Sequence, residues 1–67
     1  MIQVIINGEL RQVLTQQSLA DLLNNLNIPA DRIAIELNSA IVRKRDWEGT
    51  LVEPGSQIEI VEFVGGG

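Results

Sequence analysis

With 67 residues, a net charge of −4 and 45% apolar residues, the chain is sized for a single domain that buries only about 60% of the surface of its unfolded form. It has neither cysteine nor histidine, which removes disulfides, thiol nucleophiles and the usual transition-metal ligands, so no metal site is expected. The acidic balance disfavours nucleic acid as a partner and suits a basic protein surface. No stretch approaches the ~18 apolar residues of a membrane span or has the form of a signal peptide, so neither membrane contact nor export is expected, and the cytoplasm is the expected compartment.

In chain order, Ile2–Ile6 and Leu10–Leu14 flank Asn7-Gly8, the dipeptide best suited to a two-residue hairpin turn because both central positions need positive φ. Ile2, Val4 and Ile6 share one face of the first strand and are its expected core face, with Gln3 and Ile5 on the other. Ser18 then precedes a helix. Its hydroxyl can accept from the N–H of Asp21, whose charge suits a helix start. Leu19, Leu22, Leu23 and Leu26 follow the i, i+3, i+4, i+7 spacing of one buried helical face. Asn27 fits a left-handed position and Pro29 forbids continuation, so the helix ends near Leu26 or Asn27.

Alternation resumes from Ile33 to Leu37, with Ile33, Ile35 and Leu37 inward. Asn38-Ser39 is a turn signal, and a short strand over Ile41–Arg43 returns antiparallel before an irregular stretch through Trp47 and Thr50. The run Arg43-Lys44-Arg45 is followed at once by Asp46 and Glu48, the pattern of a solvated turn rather than a binding patch. Trp47 is expected to plug an edge of the core. Pro54-Gly55-Ser56 turns the chain into a last strand, Gln57–Phe63. Ile58 and Ile60 take one face of it; Glu59, Val61 and Phe63 take the other. If the isoleucines point to the helix, Val61 and Phe63 lie outside, joined by Ile5 if the first and last strands are neighbours, and such an apolar patch on an acidic domain is a candidate partner surface. The order β-β-α-β-β-β, one helix over a mixed sheet of four to five strands, is an α+β arrangement.

Catalysis by the chain itself is not expected: the carboxylates are scattered over strand exteriors and loops, and nothing supplies a nucleophile or base in a pocket. The unusual feature is the ending Gly65-Gly66-Gly67. At ~7% glycine per position, three in succession arise by chance about 3 times in 10,000. Residues without a Cβ can pass through a slot where a side chain would jam. They would present the α-carboxyl of Gly67, and a free α-carboxyl is a carboxylate at neutral pH and a poor electrophile until activated. Coupling to a nucleotide phosphate would make a mixed anhydride open to attack by sulfur or an amine. The chain accordingly divides into a domain over 1–64 and a tail over 65–67.

The Asn7-Gly8 hairpin, the helix from Ser18 to Leu23, Glu36-Leu37-Asn38 leading to Ile41-Val42-Arg43, Trp47, and the ending from Ile58 to Gly67 together resemble the thiamine-biosynthesis sulfur carriers of the ThiS family over the whole chain. The resemblance implies a ubiquitin-like β-grasp fold and a carrier that needs no cofactor of its own. An adenylating enzyme of the ThiF type would activate Gly67 with ATP, the carboxyl would become a thiocarboxylate, and thiazole synthase of the ThiG type would take the sulfur. By position, Gly66 and Gly67 match the reactive tail, while Phe63, Val64 and Gly65 match the segment leading into a partner's channel. Ser56 departs from the Asp of the family's common Gly-Asp turn. A double glycine is shared by all ubiquitin-like carriers, so the small subunit of molybdopterin synthase and protein modifiers stay open as alternatives. A module that binds non-covalently through Ile5, Val61 and Phe63, with an inert tail, is the alternative of a different class.

Overall fold

The strands and the helix follow from three local devices, namely two tight turns, a capped helix start and alternating strands. The computed structural model describes residues 1–63. In chain order these form β1 (Ile2–Ile6), β2 (Glu9–Val13), α1 (Leu19–Asn25), β3 (Ile33–Leu37), β4 (Ala40–Val42), a 3₁₀ turn (Lys44–Asp46) and β5 (Gln57–Glu62). The sheet has the strand order β2-β1-β5-β3-β4. β5 is therefore central, parallel to β1 and antiparallel to β3, which makes the sheet mixed.

Asn7 and Gly8 both take positive φ, at 50° and 83°, as the two-residue connection requires. The turn is tight enough that Ile6 pairs with Glu9. β2 thus begins at Glu9 and ends at Val13, one residue before the span Leu10–Leu14 that the apolar pattern marks out. Asn38 and Ser39 behave in the same way, with φ of 51° and 74°, and Leu37 pairs with Ala40. β4 is accordingly Ala40–Val42 instead of Ile41–Arg43, and Arg43 leads into the 3₁₀ turn in extended conformation.

The helix has only seven residues, well short of the ~12–15 an isolated helix needs in water. Its neighbours hold it. Ser18 Oγ accepts from Asp21 N at 3.1 Å and Asp21 Oδ2 accepts from Ser18 N at 3.3 Å, a reciprocal cap. Leu19 N donates to Thr50 O at 2.9 Å, tying the first turn to the irregular stretch. At the far end Leu26 is the cap residue and Asn27 takes φ 58°. Gln17 is buried and satisfied on both sides: Nε2 donates to Leu14 O and Oε1 accepts from Asn25 Nδ2, both at 2.8 Å.

Leu19, Leu22 and Leu23 pack with Val4, Ile6, Ile35 and Ile58 between helix and sheet, and Leu26 is half-buried at the margin. Trp47 closes one side of this layer, buried, with its Nε1 donating to Val42 O at 2.9 Å. The indole N–H would otherwise be an unpaired buried donor, costing about 1–3 kcal/mol. Ser56 is also buried, and its Oγ donates to Glu53 O at 2.7 Å and accepts from Glu53 N at 3.2 Å. Serine therefore closes the turn before β5 without a carboxylate. Among the described residues, no helix is long and apolar enough to cross a membrane.

Candidate functional site: the end of β5 and the outer sheet face

β5 alternates as its sequence requires. Ile58 and Ile60 face the helix, one buried and the other half-buried, while Val61 and Phe63 are 49% and 56% exposed on the opposite face. The strand ends at Glu62, one residue before Phe63. Phe63 is nevertheless tied down, because its N–H donates to Arg32 O at 2.6 Å. Val64, Gly65, Gly66 and Gly67 lie outside the described residues, and with them the boundary expected between domain and tail.

Ile5 also faces away from the helix, on the strand adjacent to β5. The parallel register sets it beside Gln57, however, and not beside Val61. The offset of four positions along β5 corresponds to ~13 Å at ~3.3 Å per residue. Ile5 instead lies opposite Leu10, which is 67% exposed, while Val61 lies opposite Ala34. The outer face thus carries two apolar islands, Ile5 with Leu10 and Val61 with Phe63. Between them Glu36 and Glu59 are direct cross-strand partners. Like charges so placed destabilise a sheet by about 0.2–1 kcal/mol, and a basic group laid across them would relieve that repulsion.

Ile41, 74% exposed and paired with Glu36, flanks the acidic pair on the far side. Sequence reasoning overlooked Leu10 and Ile41 as members of this face. Each lies on an edge strand whose residues are mostly exposed, so no buried neighbour marks its face, and assigning the two to one surface requires the strand order. Among the described residues, no group of three or more carboxylates is placed to hold a metal ion.

A family model for ThiS matches residues 4–67, from β1 through the glycine tail. The chain belongs to the ThiS family. The fold agrees: a crystal structure of the thiamine biosynthesis protein ThiS from Geobacter metallireducens superposes with a TM-score of 0.87 at 26% identity, covering 98% of this chain and 100% of that one. The helix-on-mixed-sheet arrangement is thus the ubiquitin-like β-grasp of this family. In sequence, the chain is 39% identical to the uncharacterised protein ycf40 of Porphyra purpurea, over 98% of this chain and 93% of that protein. It is also 35% identical to a thiazole synthase of Paramagnetospirillum magneticum, where 97% of this chain matches but spans only 20% of the larger protein. A ThiS-like segment is therefore built into that synthase as a fifth of its length.

Proposed function

We propose that this chain carries sulfur for the thiazole ring of thiamine on the terminal carboxyl group of Gly67, with residues 65–67 as the arm that delivers it. The observation that carries the reading is the family match, which runs over residues 4–67 and so includes the glycines as well as the domain. Its fold relative from Geobacter metallireducens is a thiamine biosynthesis protein. The presence of a ThiS-like segment within a thiazole synthase supports a synthase as the receiving partner, since two proteins that hand over a group gain from high local concentration.

The chemistry follows from the carboxylate. An adenylating enzyme lets the Gly67 carboxylate attack the α-phosphorus of ATP; pyrophosphate leaves and an acyl adenylate remains. A sulfur nucleophile then adds to the carbonyl carbon and AMP departs, so that over the two steps one oxygen is exchanged for sulfur. The carrier contributes a rigid grip for its partners and an unhindered carbonyl, while bond making belongs to the enzymes on either side. Glycine at the last three positions lets a catalytic slot close around the reacting carbon.

Mass spectrometry of the intact protein tests this. Incubated with its adenylating enzyme, ATP and a sulfur donor, the chain should gain the mass difference between sulfur and oxygen, confined to the tryptic fragment after Arg45. The Gly67-deleted chain should gain nothing. No mass change with a competent adenylating enzyme, or a change elsewhere in the chain, refutes the reading. Stable association with the large subunit of molybdopterin synthase, and none with thiazole synthase, would move the carrier to a different pathway.

A further inference from the structure

The two sides of β5 are unequally filled. Toward β3 the antiparallel ladder runs its full length, from Gln57 bonded to Asn38 to Phe63 bonded to Arg32. In an antiparallel pair every second residue bonds to the same neighbour, so Gln57, Glu59, Val61 and Phe63 turn their N–H and C=O groups to β3. Ile58, Ile60 and Glu62 turn theirs to β1. There the pairing stops at Ile6 with Ile58. Asn7 extends it by one step, its N–H donating to Ile58 O at 2.9 Å and its Oδ1 accepting from Ile60 N at 2.7 Å. Beyond that point β1 has turned away into the hairpin. The carbonyl of Ile60 and the N–H of Glu62 have no partner in the ladder among the described residues, although they lie on the central strand of the sheet.

Beside this open length of β5, on the helix side, lies a groove of about 470 Å³. Leu26, Ile28, Ile33 and Ile60 line it, all half-buried and packed on the core with one side uncovered. Its rim carries Glu9 and Glu62 against the single cation Arg11. An apolar floor below an unpaired strand edge, with a net acidic rim, fits one kind of occupant: an extended peptide segment that bonds to the edge through its backbone, lowers an apolar side chain into the groove and sets a basic residue against the rim.

We propose that the enzyme receiving the sulfur from Gly67 adds such a strand to the open edge of β5 at Ile60 and Glu62. This rests on the carrier reading above. Four residues separate Phe63 from the carboxyl carbon, at most ~13 Å at ~3.3 Å per residue, so an enzyme holding that carboxyl must bring its own chain close to this end of β5. Strand addition would there fix the direction in which the arm leaves the domain. The charges agree, since the segment meets two carboxylates and one guanidinium on a chain of net charge −4.

Hydrogen exchange on the intact chain, with and without thiazole synthase, tests the proposal. On binding, the Glu62 amide should slow by on the order of 100-fold, while those of Val61 and Phe63, already bonded to β3, change little. Glu62→Pro removes the one donor aimed at the open edge and none aimed at β3, a position where a strand tolerates proline. It should bind the synthase about tenfold more weakly, with Trp47 emission unchanged as the check on folding, whereas Glu62→Ala should weaken binding less. If the unaltered chain binds and the Glu62 amide gains no protection, the strand-addition proposal is overturned while the carrier reading stands. Protection that grows with chain concentration in the absence of the synthase overturns it too, assigning the edge to a second copy. If the unaltered chain neither binds the synthase nor accepts sulfur, both readings fall.

Discussion

Two asparagine-led turns hold β5 from its two sides, and the same residue does different work in each. On the β3 side Asn38 closes a ring with one residue: its N–H donates to Gln57 O at 2.7 Å and its Oδ1 accepts from Gln57 N at 2.9 Å. On the β1 side Asn7 reaches two residues, Ile58 and Ile60, and so stands in for a strand residue that β1 does not supply. The second positions also differ. Gly8 takes φ 83° with open space where a Cβ would sit, whereas Ser39 takes 74° with a Cβ in place. A non-glycine residue held there costs about 1–3 kcal/mol, and asparagine tolerates it best. The first turn is thus relaxed and prolongs a ladder; the second is strained and ends one.

Substitutions can break this contrast or sharpen it. Gly8→Val should have the largest effect, about 3 kcal/mol of lost stability in urea melts followed by Trp47 emission, because a branched side chain meets an unfavourable backbone although nothing crowds it. Wild-type stability in this variant would show that the turn can adopt another form. Asn7→Ala should cost about 2 kcal/mol, combining the lost bond to Ile60 N with the poorer left-handed conformation of alanine. In its amide exchange Ile60 should then behave as Glu62 does, since both donors would face the same empty edge. Ser39→Gly should act in the opposite sense and least. Relief of strain, offset by the larger unfolded-state freedom of glycine, should leave about 0.5 kcal/mol of stabilisation, seen as a rise of a few degrees in Tm. A loss of stability there would mean that Ser39 makes a contribution beyond its backbone angle.

What could be read from the sequence was what local chemistry decides. Asn-Gly and Asn-Ser mark their turns because few residues accept positive φ. Ser18 with Asp21 marks the helix start because both halves of the cap lie within four residues, and the buried faces follow from periods of two and 3.6. The strand ends slipped by one residue for a related reason: a tight turn brings Glu9 and Ala40 into the ladder despite their side chains. What could not be read depends on register between distant segments. Val61 and Ile5 do belong to one face, but nothing near either residue says that the parallel pairing sets Ile5 beside Gln57. Likewise Asn7 is recognisable as a turn former, not as a cap on Ile60. The open edge of β5 exists only because β1 turns at Asn7 while β5 continues, a mismatch of strand ends that becomes visible when the two strands are laid side by side.

The central place of β5 also governs how the protein forms. It is the last element among the described residues, and it alone joins β1 to β3. Until it arrives, a growing chain holds two separate hairpins, β1 with β2 and β3 with β4, and two-stranded units of this kind are marginal in water. The helix cannot bury its leucines on a sheet that is still in halves. Docking of β5 against β1 closes a loop of nearly the whole domain before its contacts reward the closure, the kind of non-local pairing that slows folding. Assembly is therefore a single late event, completed when the strand that bears the tail takes its place between two halves that are marginal without it.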